Sequence, residues 1–400
     1  MEEKQTMGKK VFEGLKVVDL TSALNGPFAT MFLADYGADV IKVEPIGGEQ
    51  CRAWGPFEKN SGESAFFAAY NRNKKSVTLN LKTEKGRQML YDLVKDADVL
   101  AENYKGGVTK KLKIDYETIK KINPNIIYAS SSGFGQYGPI AHRPCYDVVA
   151  QAMGGILNLT GFPDADPVKV GPSVGDHVAG IYLAVGIMMA LYHRERTGEG
   201  QQVDVAMMDV IFSILENAIV NYTVGGEIPE RNGNIDPSIA PFDAFKCKDG
   251  FVALGVGNDR LFERFSKTIG HPEFLEDERF KTNDLRQQNY KSALRDPIEE
   301  WCLKYTKKEI EQIMDEAAIP CGPVMNVKEI IEHPQIQARE MVVTMDHPTA
   351  GKMDIPGCTI KMSETPGAVE EASPLVGQHN REIFGLTEEE EKQLIEEGVI

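Results

Sequence analysis

The sequence has little positive charge, few cysteines and no long hydrophobic run, and each shortage excludes a class of protein. Its 400 residues include 44 Lys and Arg against 60 Asp and Glu, a formal net charge of -16. A surface of that sign repels phosphate backbones, so we expect no nucleic-acid partner. The six cysteines form no CxxC pair and are too few for a disulfide-stapled secreted domain. A reduced compartment fits this usage, and we expect a cytoplasmic protein.

Neither the N-terminus nor the most apolar segment has the pattern of a targeting or membrane-spanning sequence. Residues 1–10 are polar and lack the apolar core of a signal peptide. The charge-free apolar stretch at 178–192 is shorter than the ~20 residues that span a bilayer. We therefore expect a buried core helix at this stretch and no membrane partner.

Strand and helix patterns alternate over the first half of the chain. Short apolar runs typical of buried strands lie at 15–20, 38–43, 76–81, 98–101, 125–130 and 202–206. Helical patterns between them, such as 84–96, indicate parallel βαβ units and a doubly wound α/β sheet. The segment 225–240 is rich in Gly, Pro and Asn, which predicts a domain boundary followed by a smaller unit.

Common nucleotide-binding and metal-binding signatures are missing from the sequence. It contains no Walker A, HxxxH or HExxH pattern, and we expect no metal site. Residues 133–138 match GxGxxG, but Pro139 and Pro144 interrupt the helix that should receive a pyrophosphate. We therefore interpret this motif as a glycine-rich turn.

Two short polar segments next to predicted helices have both a structural and a catalytic interpretation. Asp176 stands just before the apolar helix, where it suits an N-cap. It also suits a carboxylate nucleophile or base, because a positive helix end favours the ionised form. Tyr146 and Asp147 begin another helix, where they suit a cap or a hydrogen bond to a substrate oxygen. His177 is expected to face solvent.

Several segments in order make the chain recognisable as a member of a family. They are GADVIKVE at 37–44, NRNKKS at 71–76, ADVLAENY at 97–104, GD at 175–176, HRERTGEGQ at 193–201 and IPCGPV at 319–324. With them the chain resembles the family III CoA-transferases, the CaiB/BaiF family, over nearly its whole length. The resemblance implies two interlocked subunits, hence a homodimer. It also implies a large Rossmann-like CoA-binding domain (1–224 plus 326–400) and a smaller α+β domain with linkers (225–325).

The resemblance implies a reaction and a set of site residues. Asp176 would attack an acyl-CoA thioester and form an aspartyl mixed anhydride, after which CoA passes to a free carboxylic acid. Coenzyme A is then a substrate, and no permanently bound cofactor is implied. Acid binding is implied for Leu24, Asn25, Tyr146 and Asp147. CoA binding is implied for Leu79, Asn80, Leu81, Lys82, Asn103, Tyr104, Lys105, Lys111, Pro144 and Cys145.

Three positions depart from the pattern of the formyl-CoA:oxalate members. This chain has Pro45 where they have a CoA-contacting Arg, and Leu24 where they have a Gln near the oxalate site. Their glycine-rich loop before the small domain is replaced by 235–240. Oxalate is therefore not the expected acid. Leu24, with the neighbours Phe28 and Trp54, favours a larger and less polar acid, for which a 2-hydroxy acid or a carnitine-like acid is our hypothesis.

Two alternative functions remain open from the residues. Related α-methylacyl-CoA racemases have His where this chain has Tyr146, and a phenol with a pKa near 10 is a poor carrier of an α-proton. This favours a transferase over a racemase-like isomerase. The third interpretation is a non-catalytic acyl-CoA-binding protein. The presence of Asp176 argues against it.

Overall fold

The computed structural model describes residues 10–400, and its strands and helices alternate along most of that range. The strands are β1 (Lys16–Asp19), β2 (Asp39–Glu44), β3 (Lys74–Thr78), β4 (Val99–Glu102), β5 (Ile127–Ser132), β6 (Gln202–Ala206), β7 (Phe242–Cys247), β8 (Gly250–Gly255), β9 (Cys321–Pro323), β10 (Val342–His347) and β11 (Gly351–Pro356). The helices up to the middle of the chain are α1 (Asn25–Asp35), α2 (Ala65–Asn71), α3 (Glu84–Lys95), α4 (Val108–Leu112), α5 (Tyr116–Ile122), α6 (Asp147–Gly154), α7 (Ile156–Leu159), α8 (Val174–Thr197), α9 (Met207–Ser213) and α10 (Asn217–Thr223). The later helices are α11 (Asp259–Thr268), α12 (Asn283–Gln288), α13 (Arg295–Cys302), α14 (Lys307–Glu316), α15 (Val327–Ile331), α16 (Pro334–Ala338), α17 (Asn380–Phe384) and α18 (Glu388–Glu396).

The chain divides into two compact units. The larger contains residues 10–156, Lys169–Asn217 and Pro334–Ile400, and the smaller contains Leu157–Val168 and Ala218–His333. These units differ from the predicted ranges at 157–168, 218–224 and 326–333, all of which belong to the smaller unit. The segment 157–168 pairs with a later segment of that unit. There the Gly233 amide donates to the Gly161 carbonyl oxygen at 2.9 Å. The CoA-binding role assigned to 1–224 plus 326–400 stays a prediction.

The larger unit is built on a parallel sheet whose strand order is β3-β2-β1-β4-β5-β6. All of its neighbouring strands are parallel. The order reverses between β1 and β4, as in doubly wound folds. The strands are apolar runs because helices cover both faces of the sheet. The predicted α/β fold is confirmed in this form, and a β10–β11 antiparallel hairpin adds to the same unit.

Helix α8 packs one face against the sheet and exposes the other. Ala179, Leu183 and Ile187, four residues apart, lie in the core beside the β-strands. The opposite face exposes Ile181, Met188, Met189 and Tyr192, and we name these four residues the α8 face. By length and composition alone, α8 could cross a membrane, and it is the one such helix within residues 10–400. The expected core helix therefore has only one face in the core.

The smaller unit has its own core and an antiparallel sheet in the order β7-β8-β9. Its buried residues include Phe245, Phe265, Tyr290 and Trp301, which come from the sheet and from the helices around it. This is the α+β arrangement expected for the region that follows the Gly- and Pro-rich segment.

Candidate active site

Two adjoining cavities follow the carboxyl edge of the parallel sheet. At the reversal of strand order the loops after β1 and β4 diverge, which opens a crevice in doubly wound folds. The first cavity has a volume of about 550 Å³ and is lined by residues that follow β1, β2, β3 and β4. The second has a volume of about 630 Å³ and is lined by residues after β1, β4 and β5 and at the beginnings of α6 and α8. Ser22, Gln50 and Tyr104 line both, so together they form a site long enough for an extended ligand.

The structure brings nearly all of the predicted site residues to these cavities. The first cavity contains Leu79, Asn80, Leu81, Lys82 and Tyr104. The second contains Leu24, Asn25, Asn103, Tyr104, Lys105, Pro144, Cys145, Tyr146, Asp147 and Asp176. Lys111 lines neither cavity and is exposed on α4, whose Val108 and Leu112 each line one of them.

Asp176 lies in the first turn of α8 with a free carboxylate. The N-cap of this helix is Ser173, so the capping interpretation of Asp176 is wrong. No protein donor within residues 10–400 bonds its carboxylate oxygens. Burial, reinforced by the charge of Asp147, raises the pKa of Asp176 to about 7. The sequence had led us to expect a helix end that keeps this carboxylate ionised, but desolvation in the cavity is the larger influence.

Asp147 holds the peptide that carries Asp176. Its Oδ1 accepts from the Gly175 amide at 2.8 Å and from the Asp176 amide at 3.4 Å. Its Oδ2 accepts from Gln151 Nε2 at 2.6 Å. A side chain at Gly175 would place a Cβ 3.0 Å from Asp147 Oδ1, so glycine permits this close approach. Asp147 therefore caps α8, whereas its neighbour Tyr146 is 61% exposed at the cavity.

His177 belongs to an aromatic cluster, so the expectation that it faces solvent is wrong. Its Nδ1 lies 2.8 Å from the Ser173 carbonyl oxygen, and its Nε2 lies 3.3 Å from the Tyr70 hydroxyl. The imidazole packs edge-on against Phe28 with ring centroids 4.9 Å apart. Nδ1 donates to the carbonyl oxygen, and this contact orients Nε2 towards the Tyr70 hydroxyl. The cluster continues through Phe66, which lines the second cavity.

A buried ion pair beneath the loop after β1 was not anticipated from the sequence. Lys42 and Glu49 are both buried and lie 2.7 Å apart, Nζ to Oε1. Although burial opposes it, the carboxylates of Glu49 and Asp19 raise the pKa of Lys42. The signal was present, because Lys42 interrupts an apolar strand pattern. A lysine in such a place needs a carboxylate partner.

Comparison with known proteins identifies the family. The model of CoA-transferase family III matches residues 12–380. The chain belongs to CoA-transferase family III. It is 43% identical to an acetyl-CoA:oxalate CoA-transferase of Acetobacter aceti over 368 residues, 90% of this chain and 92% of that protein. It is 40% identical to a succinate–glutarate CoA-transferase of Agrobacterium fabrum, over 95% of this chain and 96% of that one.

A solved structure agrees with this membership. A CaiB/BaiF family protein from Brucella suis is 38% identical and superposes with a TM-score of 0.83 over 94% of this chain and 99% of that one. The predicted family and the predicted enzyme class are confirmed. The protein is a CoA-transferase, which moves CoA from an acyl-CoA to a carboxylic acid.

Proposed function

We propose that this CoA-transferase uses Asp176 as its nucleophile. The carboxylate attacks the thioester carbonyl, a C–O bond forms, the C–S bond breaks, and CoA thiolate leaves an aspartyl mixed anhydride. The acceptor carboxylate then attacks the aspartyl carbonyl and displaces the donor acid. The retained thiolate finally attacks the acceptor's acyl carbon and frees Asp176. Each step exchanges one acyl bond for another without a net proton, so no ATP is consumed.

The observation that carries this proposal is the free carboxylate of Asp176 in the second cavity. A carboxylate with a pKa near 7 is ionised in about half of the molecules at neutral pH, and its ionised form is poorly solvated. Such a group is more basic than an exposed Asp and gains more by attacking a carbonyl. Substrate that fills the surrounding cavity also displaces water from it. The exclusion of water protects a mixed anhydride from hydrolysis.

We propose that CoA occupies both cavities, with its thioester in the second. Leu79, Asn80 and Leu81 would line the nucleotide side in the first cavity, with Tyr104 between the two. The positive charges of Lys82, Lys105 and Lys111 lie at exposed positions around this path. Ammonium groups at such positions suit the phosphates of CoA. Asn103, Pro144 and Cys145 would line the pantetheine end.

We propose that the acids exchanged are dicarboxylic acids. The two relatives described above are named for oxalate and for succinate and glutarate. Lys105 and Lys169 line the second cavity, and the ammonium group of one of them would pair with a distal carboxylate. The apolar side chains of Leu24 and Trp54 line the same cavity. They are less suited to oxalate, the smallest of these acids, than to a longer dicarboxylic acid. A 2-hydroxy acid and a carnitine-like acid remain the other hypotheses for the acceptor.

A racemase-like isomerase has less support. That reaction needs a second group able to carry the α-proton. Among residues 10–400, the lining of the second cavity includes no histidine, and the residue before Asp147 is the exposed Tyr146.

We propose that the enzyme is a cytoplasmic homodimer with interlocked subunits. The α8 face is apolar and exposed, and a wholly apolar cavity of about 180 Å³ lies beside it, lined by Phe12, Phe32 and Ile360 among others. Contiguous apolar surface of this kind marks an interaction site, and a second copy of the chain would cover it.

Mass spectrometry of acyl-CoA products tests the proposed function. The purified enzyme is incubated with acetyl-CoA or succinyl-CoA and one free acid from a panel of dicarboxylic, 2-hydroxy and carnitine-like acids. We expect a new acyl-CoA with a dicarboxylic acceptor, and at least a 10³-fold loss in Asp176→Asn. Asp284→Asn, an exposed first-turn Asp of α12, is the matched control. Deuterium uptake at the α-carbon without acceptor, together with no CoA transfer, would contradict the proposal and favour the isomerase.

A further inference from the structure

The beginning of α1 lies at the second cavity. The helix starts at Asn25, and its N-cap residue, Leu24, makes no capping hydrogen bond with its side chain. Both residues line the second cavity, yet Asn25 is only 4% exposed and Leu24 only 5%. A helix end of this kind presents a partial positive charge to a ligand.

The side-chain amide of Asn25 is held in one orientation. Its Oδ1 accepts from the Gly26 amide at 2.6 Å and from Asn103 Nδ2 at 2.8 Å. Because a backbone N–H can only donate, the atom facing Gly26 is the oxygen, and Nδ2 is the other end of the amide. Within residues 10–400 no acceptor takes a hydrogen bond from this Nδ2. This nitrogen is not fully enclosed by protein atoms. The cavity that Asn25 lines is the second cavity.

Asn103 uses its whole amide to hold this loop. Its Oδ1 accepts from the Ser22 amide at 2.9 Å. Its Nδ2 donates to the Ser22 carbonyl oxygen at 2.7 Å and to Asn25 Oδ1 at 2.8 Å. Both N–H groups of the Asn103 amide are therefore used within the protein, and they hold Ser22 and Asn25 in place.

The buried ion pair holds the same loop from below. Glu49 Oε2 accepts from the Ala23 amide at 2.8 Å, and Lys42 Nζ donates to the Thr21 carbonyl oxygen at 2.9 Å. Ala23 has φ of +66°, a left-handed conformation that is costly for a residue with a Cβ. A strained residue held by buried charged groups indicates a loop whose shape is required by what it binds.

Asp176 projects from the side of α8 that crosses the beginning of α1. Gly180 follows Asp176 by one helical turn, so the two share a face of α8 and lie about 6 Å apart. A Cβ added at Gly180 would lie only 2.6 Å from the Asn25 carbonyl oxygen, which shows how closely the two helices approach. Asp176 and Asn25 therefore line the second cavity from two helices that approach each other closely.

We propose that Asn25 is a catalytic residue and that Asn103 is its positioning residue. This inference rests on the proposed role of Asp176. When the carboxylate attacks, the carbonyl π electrons move to oxygen, and Asn25 Nδ2 donates a hydrogen bond to that oxyanion. The same donor serves the acceptor's oxyanion in the last step. A preorganised donor of this kind is worth about 10²–10³-fold in rate, because it is already oriented where charge develops.

Single-turnover acylation of Asn25 variants tests the proposal. The rate of CoA release from acetyl-CoA or succinyl-CoA is measured, whichever donor the wild-type enzyme uses, with hydroxylamine trapping at Asp176. The affinity for CoA itself is measured by calorimetry. Asn25→Ala removes the amide, while Asn25→Asp keeps the shape and both bonds to Oδ1 but loses the donor. We expect both to slow acylation about 10²–10³-fold with a Kd for CoA within threefold of wild type.

Asn123→Ala is the matched control, because this amide also joins two chain segments, donating to Val94 and Ala97 carbonyls, but lines neither cavity. It should leave the acylation rate within threefold of wild type. Acylation of a folded Asn25→Asp at a near-wild-type rate, with normal trapping at Asp176, would overturn this inference and leave the proposed function standing. A wild-type enzyme that transfers CoA without any Asp176 adduct would overturn both.

A double-mutant cycle tests the positioning role. Asn103→Ala should lower kcat about tenfold or more in the wild-type background, with little change in KM. In the Asn25→Ala background the same change should cost less than threefold, since the amide that Asn103 orients is gone. Equal losses in both backgrounds would show that Asn103 acts elsewhere and would refute the pairing.

Discussion

Replacing Asp176 by Asn should stabilise the protein while abolishing its activity, and the gain should depend on pH. The side chain is half-buried in the second cavity, no donor among residues 10–400 bonds its carboxylate, and its pKa is raised from 3.8 to about 7. Between these two values the unfolded chain has already lost the proton that the folded chain keeps. Ionisation therefore favours unfolding, and the penalty grows as pH rises towards 7 and is constant above it.

The size of this effect follows from the two pKa values. One pKa unit corresponds to about 1.4 kcal/mol, so a difference of roughly three units costs the folded state at most about 4 kcal/mol at pH 8. At pH 5 the folded group is protonated and only the unfolded ionisation counts, which reduces the cost to about 2 kcal/mol. Asn keeps the shape of the side chain and removes the titration. The variant should gain roughly 2 to 3 kcal/mol more at pH 8 than at pH 5.

Urea unfolding, followed by far-ultraviolet circular dichroism at fixed protein concentration, measures this difference at the two pH values. Asp284→Asn is the control, because that Asp also lies in a first helical turn but is exposed. We expect its effect to be small and equal at pH 5 and pH 8. A gain for Asp176→Asn that is the same at both pH values would refute the reasoning, since it would show that the carboxylate is not desolvated.

Three other perturbations should have measurable effects. The value of kcat/KM should fall below about pH 7, because Asp176 becomes protonated there. Asp147→Asn should move this acidic limb of the pH profile to lower pH, because the charge of Asp147 raises the pKa of Asp176. An acidic limb at the same pH in the variant would contradict that coupling. Glu49→Ala should lower the free energy of unfolding in urea by about 3–5 kcal/mol, because it leaves Lys42 buried without its carboxylate partner. Glu84→Ala, at an exposed position, should change this free energy little. Met189→Glu on the α8 face should shift the enzyme from dimer to monomer, as measured by light scattering. Glu195→Gln, at an exposed position near the end of the same helix, should not. A Met189→Glu variant that is still a dimer would exclude this face as the interface.

The sheet could be predicted from the sequence because its signals are local. The strands at Lys16–Asp19 and Asp39–Glu44 are short apolar runs, and glycine or proline marks the turns around the helix between them. The doubly wound class then follows from the right-handed crossover of each βαβ unit. The grouping of 157–168 with the smaller unit could not be predicted, because it depends on pairing with residues more than sixty positions later.

The site was only partly predictable. Asp176 was found through the family resemblance, and the residues alone left it undecided between cap and nucleophile. Its raised pKa depends on burial and on Asp147, which no local pattern shows. The contact between Asn103 and Asn25 joins the end of β4 to the beginning of α1, and the pairing of β1 with β4 brings these residues together. His177 was misplaced because its aromatic partners come from α1 and α2.

Trapping of the acyl-enzyme tests the role of Asp176 most directly. The wild-type enzyme and Asp176→Asn are incubated with acetyl-CoA or succinyl-CoA, treated with hydroxylamine, and analysed by intact mass and peptide mapping. We predict a hydroxamate on Asp176 with stoichiometric release of free CoA in the wild type, and neither in the variant. Active transfer of CoA without modification of Asp176, or with modification of another residue, would contradict the mechanism.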